Sequence, residues 1–136
     1  MSVRKAIFGT RDTIMHEPVV WIISAEQWPR ALLRAELIEA GFDACGYLNI
    51  TEALRELEHL PQQRPRAIVL DLTELEFTRP QLAALGGENI PTVTLGGASE
   101  LSDARLGEFA WAGIFRRPFM LREVVALIVR LAGGTT

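Results

Sequence analysis

The chain has 136 residues, 49% of them apolar, and a formal net charge of −3 from 14 basic and 17 acidic side chains. That length suits one domain with a well-buried core and is short for two, and the charge creates no basic field of the kind that draws a protein to nucleic acid or anionic lipid. The apolar runs are only strand-sized, no stretch resembles a signal peptide, and the lone Cys45 permits neither an internal disulfide nor a thiolate metal cluster, a combination that points to the cytoplasm.

Residues 1–17 mix Arg4, Lys5, Arg11, Asp12 and Glu17 without helical or strand periodicity and read as a tail or lead-in. From Pro18 onward, short Val/Ile/Leu runs alternate with helical patterns, the mark of βαβ units around a parallel sheet covered on both faces. Strands are predicted over 18–24, 43–48, 66–71, 91–95 and 113–116, and helices over 28–40, 51–60, 77–86, 99–111 and 121–132. Pro29 suits a first helical turn, Asn49 with Glu52 forms a capping-box pattern, and Gly41, Gly86 and Gly133 suit helix ends. The fold class is therefore α/β: a doubly wound five-stranded parallel sheet, as one domain over 18–132, with 133–136 as a C-terminal tail or the start of a linker.

In such a sheet the working site lies outside the carboxyl ends of the strands. The residues predicted to converge there are Ser24 and Ala25 after the first strand, Asp71 after the third, Gly96 and Gly97 after the fourth, and Arg117 after the fifth. A cluster of acids at neighbouring strand ends holds Mg²⁺ and activates an aspartate toward phosphate, whereas one acid binds a hard divalent ion weakly. Here Ala67-Ile68-Val69-Leu70-Asp71 ends on a carboxylate, but Val19-Val20-Trp21-Ile22-Ile23-Ser24-Ala25 does not. Arg117, with its planar fork of donors, either bridges to Asp71 or points to solvent. Gly96-Gly97 reads as a turn, with an anion cradle as the other option.

Several segments in this order resemble the receiver domain of bacterial response regulators: Val-Val-Trp-Ile-Ile, Leu32 to Phe42, Ile68 to Asp71, Ile90 to Leu95, and Gly-Ile-Phe-Arg-Arg-Pro-Phe over 113–119. The resemblance spans about residues 18–132 and implies the strand order 2-1-3-4-5. It further implies that Asp71 stands at the phosphoacceptor position, that Ser24 and Ala25 replace the acid pair that holds Mg²⁺, and that Gly96 replaces the phosphoryl-sensing Ser/Thr. Ile114 then replaces the switch aromatic, and Arg117 replaces the lysine before Pro118, whose peptide bond is cis in receivers. No shift of register restores the pattern, because the only lysine is Lys5 and the only aspartates are Asp12, Asp43, Asp71 and Asp103. Glu26 alone offers a substitute metal ligand, and otherwise reads as a solvated acid at a helix start.

The expected function is thus a degenerate receiver that signals by protein contact, with no cofactor and no enzymatic activity. The alternative is a working receiver phosphorylated on Asp71 by a histidine kinase, with Mg²⁺. A flavin or cobalamin carrier is disfavoured, since Ser24-Ala25-Glu26-Gln27-Trp28 is neither a hydroxyl-rich phosphate loop nor a cobalamin-ligand motif. His16 and His59 are solitary and read as surface residues, and Cys45 as a buried strand thiol. On a helical wheel the apolar residues from Leu121 to Ala132 cover about 200°, wider than the roughly 100° stripe one sheet face requires. Leu101, Leu106, Phe109 and Trp111 likewise spread over more than one side of the preceding helix. An interface through the last two helices, with Leu106, Phe109, Val125 and Val129, is therefore expected for a homodimer or a protein partner.

Overall fold

In the computed structural model, which describes residues 17–133, the Val/Ile/Leu runs form β1 (Val19–Ile23), β2 (Asp43–Tyr47), β3 (Ala67–Asp71), β4 (Thr92–Gly96) and β5 (Gly113–Arg116). All neighbours pair in parallel in the order β2-β1-β3-β4-β5, the order expected. Most of the lead-in expected over 1–17, with His16, and all but Gly133 of the expected tail lie outside the described residues.

Side-chain alternation along each strand splits the core into two layers. Val20, Ile22, Ala67, Val69, Val93 and Leu95 face one side. There they meet Leu33 and Leu37 of α1 (Gln27–Glu39) and Val124 and Ile128 of α5 (Leu121–Ile128). Trp21, Ile23, Ile68 and Leu70 face the other side, against α2 (Ile50–His59) and α3 (Arg79–Gly86). β3 is buried along its whole length, which is why its sequence reads as an unbroken apolar run until Asp71.

Local chemistry sets the element ends. Asn49 Oδ1 accepts from the Glu52 amide at 2.9 Å and Glu52 returns a carboxylate oxygen to the Leu48 amide at 2.9 Å, a capping box displaced by one residue. At the end of α1, Gly41 takes φ 100°. Its N–H donates to the Ile38 carbonyl at 3.0 Å and that of Phe42 to Leu37 at 3.0 Å, which is the Schellman arrangement a glycine there permits. The third helix starts at Arg79 instead of 77 because Thr78 caps it: Thr78 Oγ1 accepts from the Gln81 amide and Gln81 Oε1 from the Thr78 amide.

Two expectations for the second half need correction. The helix expected over 99–111 is only α4 (Ala98–Leu101), followed by a 3-10 turn over Ala104–Glu108. Asp103 interrupts it: its backbone is extended, its carboxylate accepts from the Arg105 amide at 2.9 Å, and it pairs with the Arg105 guanidinium at 2.7 Å. Short polar side chains that bond the backbone in this way compete with helix, and Gly107 adds its own low propensity. The last helix also changes winding, with α5 continuing into a π-helical turn over Val129–Gly133. A wheel of constant 3.6-residue period therefore misplaces its last residues.

Candidate functional site at the carboxyl ends of the strands

Register brings the site together. Asp71 pairs with Leu95 and Gly96 with Arg116, the Ser24 amide donates to the Tyr47 carbonyl at 2.9 Å, and the Arg117 amide donates to the Gly96 carbonyl at 2.9 Å. Ser24, Asp71, Gly96 and Arg117 thus line one rim of the sheet. Asp71 is 2% exposed, so its carboxylate needs partners, and it has three. Arg117 Nη2 donates to Oδ1 at 3.2 Å, the Thr73 amide to the same oxygen at 3.1 Å, and Ser24 Oγ to Oδ2 at 3.2 Å. The Ser24 hydroxyl also lies 3.3 Å from the Glu26 carbonyl, but it has one proton to give and the charged acceptor makes the stronger bond. The Arg117-Pro118 peptide bond is cis, and the guanidinium lies 5.5 Å over the Phe119 ring. Of the two options open for Arg117 in the sequence, the contact with Asp71 is the one realised.

Ser24 is buried and is fixed from behind. Arg30 Nη1 donates to the Ser24 carbonyl at 2.7 Å, and the Arg30 stem crosses Gly46 so closely that a Cβ there would sit 2.9 Å from its Cδ. Arg30 and Thr73 are site residues absent from the sequence reading; a glycine inside β2 was the available sign of a close approach at Gly46. Ala25 is half-buried against the α2/α3 core, and Glu26 stands at the N-cap of α1 without a side-chain capping bond. Among the described residues no group of three or more His, Cys, Asp or Glu side chains gathers. One carboxylate with its oxygens already bonded is a poor match for a hard divalent ion, which takes six or so oxygen ligands.

Gly96 admits α4 against the rim: a Cβ at that position would meet Glu100 Cβ at 3.3 Å and Leu101 Cδ2 at 3.4 Å. The Gly97 amide is taken by Glu100 Oε1, so the pair forms a turn closed by its own helix and offers no such amide to an anion. Ile114 projects outward, 57% exposed, on the edge strand. A cavity of about 360 Å³ opens beside the Asp71–Arg117 pair, walled by Leu32, Leu33, Pro118 and Phe119. His59 is exposed, and Cys45 is half-buried on β2, where desolvation raises its thiol pKa.

The sequence matches no family model and no curated protein. Solved structures with the same architecture do match. The chemotaxis protein CheY4 of Vibrio cholerae superposes with a TM-score of 0.67 at 15% identity, covering 85% of this chain and 98% of that one. The receiver domain of Nitrogen Regulatory Protein C does so with a TM-score of 0.69 at 21% identity, covering 86% and 95%. A response regulator receiver domain protein from Clostridium thermocellum gives 0.69 at 16% identity, covering 84% and 93%. The fold is that of a response-regulator receiver domain. Within the receiver fold, Asp71 occupies the carboxyl end of the central strand, held by Arg117 and Ser24.

The set expected at an interface divides in the structure. Leu106 is 6% exposed and belongs to the α2/α3 core, because the 3-10 turn rotates it inward, so its assignment to an outer contact is corrected. Phe109 and Val125 are half-buried, each packed on one of the two core layers. Most of the wide apolar arc is thereby explained as monomer core, with Leu121, Leu127 and Leu131 also packed inward. Val129 is the member left outside, 42% exposed.

Proposed function

We propose that this chain is a degenerate receiver domain of a bacterial signalling or transcription-regulatory protein, working in the cytoplasm by protein contact and without Mg²⁺-dependent phosphorylation of Asp71. The observation that carries this reading is the Arg117–Asp71 pair. Attack on a phosphodonor requires a carboxylate oxygen free to approach phosphorus, with charge neutralisation that a metal supplies to the extent of several kcal/mol. Here the carboxylate is engaged by a guanidinium, a hydroxyl and an amide, and Ser24 and Ala25 bring no acid to the rim. Intact-mass measurement after treatment with acetyl phosphate and Mg²⁺ tests it: the expected result is unmodified protein. A stoichiometric phosphate adduct that disappears in Asp71→Asn overturns it, in favour of a working receiver charged by a histidine kinase, with Glu26 as substitute ligand.

Output by contact calls for a surface, and the exposed Val129 on the last helical segment, beside the half-buried Val125, is the place proposed for a homodimer or a protein partner. Sedimentation at high micromolar concentration is expected to give a constitutive dimer that Val129→Asp disperses by burying an unpaired charge. A monomeric wild type, or an undisturbed dimer in the variant, removes this part of the proposal.

A further inference from the structure

A second cavity, of about 340 Å³, lies between β4, β5 and the segment that follows α4, walled by Leu101, Leu106, Phe109, Trp111 and Ile114 with Thr94 among its lining. Thr94 is fully buried, yet its hydroxyl has no hydrogen-bond partner among the described residues. Thr92, two residues earlier on the same face of β4, shows the ordinary solution: its hydroxyl donates to the Ile90 carbonyl at 3.0 Å. An unpaired buried hydroxyl is costly, and valine fills the same volume without that cost. The other polar side chains of the lining are already engaged. Asp103 is held by Arg105 at 2.7 Å, and Trp111 Nε1, at the cavity wall, donates to the Leu106 carbonyl at 3.0 Å.

We propose that this cavity binds a small, neutral aromatic molecule bearing a single hydroxyl or N–H group, hydrogen-bonded to the Thr94 hydroxyl. The volume falls in the range of small-molecule sites, which are mainly apolar with few polar groups to fix orientation. Phe109 and Trp111, 6.0 Å apart and inclined at 57°, present ring edges and faces to a flat ligand. No unpaired charge lines the cavity to compensate an ionic one, which sets the neutrality. One wall is the short α4 and its 3-10 turn, so a bound ring adds contacts to the least regular part of the domain and supplies an input that needs no phosphate. This site is separate from the reading of Asp71, whose partners are Ser24, Thr73 and Arg117.

Titration of the full chain with 2-naphthol and with 2-methylnaphthalene, followed by amide and indole N–H resonances in NMR, tests the proposal. Saturable shifts centred on Leu101, Leu106, Trp111 and Ile114 are expected for both probes. Thr94→Val is expected to weaken 2-naphthol about tenfold, the worth of one hydrogen bond, while leaving 2-methylnaphthalene within about twofold. Thr94→Ser, which keeps the hydroxyl, is expected to retain 2-naphthol binding. The proposal is overturned by the absence of saturable shifts, as when water alone occupies the cavity. Shifts gathered around Leu33 and Phe119 instead, or unchanged 2-naphthol affinity in Thr94→Val, also overturn it.

Discussion

Asp71 and Thr94 lie on adjacent strands, one residue out of register, and both are buried, yet the fold deals with them in opposite ways. The carboxylate at the end of β3 receives three donors from three different parts of the chain. The hydroxyl in β4, level with Leu70, has no partner among the described residues. The difference follows from magnitude. An unpaired buried charge costs enough to threaten a domain of marginal stability, so it is found paired, whereas an orphaned hydroxyl costs about 1–3 kcal/mol and is tolerated. The satisfied group is part of the scaffold, and the unsatisfied one is the group on which the proposed ligand site rests. The hydroxyl of Thr73, beside Asp71, is likewise without a partner among the described residues, but it does not line the cavity walled by Leu106 and Trp111.

The largest test of this contrast is Arg117→Ala. It leaves Asp71 with two neutral donors, and the expected loss is about 2–3 kcal/mol, read from the denaturant midpoint at constant slope; the retained Ser24 and Thr73 bonds and the partial exposure of Arg117 keep it below the full cost of orphaning a buried charge. Adding Asp71→Asn to the same chain is expected to recover most of that loss, and no recovery would mean that Arg117 matters for packing on Phe119 instead. Next in size and opposite in sign is Thr94→Val in ligand-free protein, expected to raise stability by about 1 kcal/mol. A destabilised valine variant would show that the hydroxyl has a partner.

The smallest effect concerns the rim of the Thr94 cavity. Hydrogen bonds from the Arg105 side chain and amide hold the Asp103 carboxyl down to about 2, from an ordinary 3.8. A depressed folded-state pKa gives stability that is fully present above the ordinary value and is lost as pH falls through the folded one. The stability difference between wild type and Asp103→Asn is therefore expected to be small, steady near neutral pH, and to vanish as pH approaches about 2. The site is solvent-screened, so a shallow slope in acid titrations of both proteins is the expected observation.

The sheet was legible because its cause is local. A run such as Ala67 to Leu70 has no polar residue to face water, so it must be a strand buried on both sides, and five such runs spaced by helical patterns leave little choice of architecture. The helix expected over 99–111 failed for a reason equally local but easily outweighed in a periodicity count: one aspartate whose carboxylate takes both the backbone amide and the guanidinium of Arg105. Val129 shows a third case: the width of the apolar arc placed it among the outward residues together with Leu106, Phe109 and Val125, and of those four it alone is exposed, because the core takes up the others.

The chain's own order of residues determined that Asp71 would be the one aspartate at the carboxyl end of a strand, because Asp12 precedes the first strand and Asp43 and Asp103 fall at the start of β2 and after α4. It also left Arg117 two options. Tertiary structure decided between them: burial of Asp71 to 2% exposure removes water as a partner, and the register of β4 with β5 sets the guanidinium within reach. The same holds for Thr94. Threonine in a strand is unremarkable in a sequence, and only the packing of Leu101, Leu106 and Trp111 around it, leaving a cavity and no acceptor, distinguishes it from Thr92. Hydrogen-bond satisfaction is a property of positions in space, so a sequence can name the groups that will need partners but not which of them will find one.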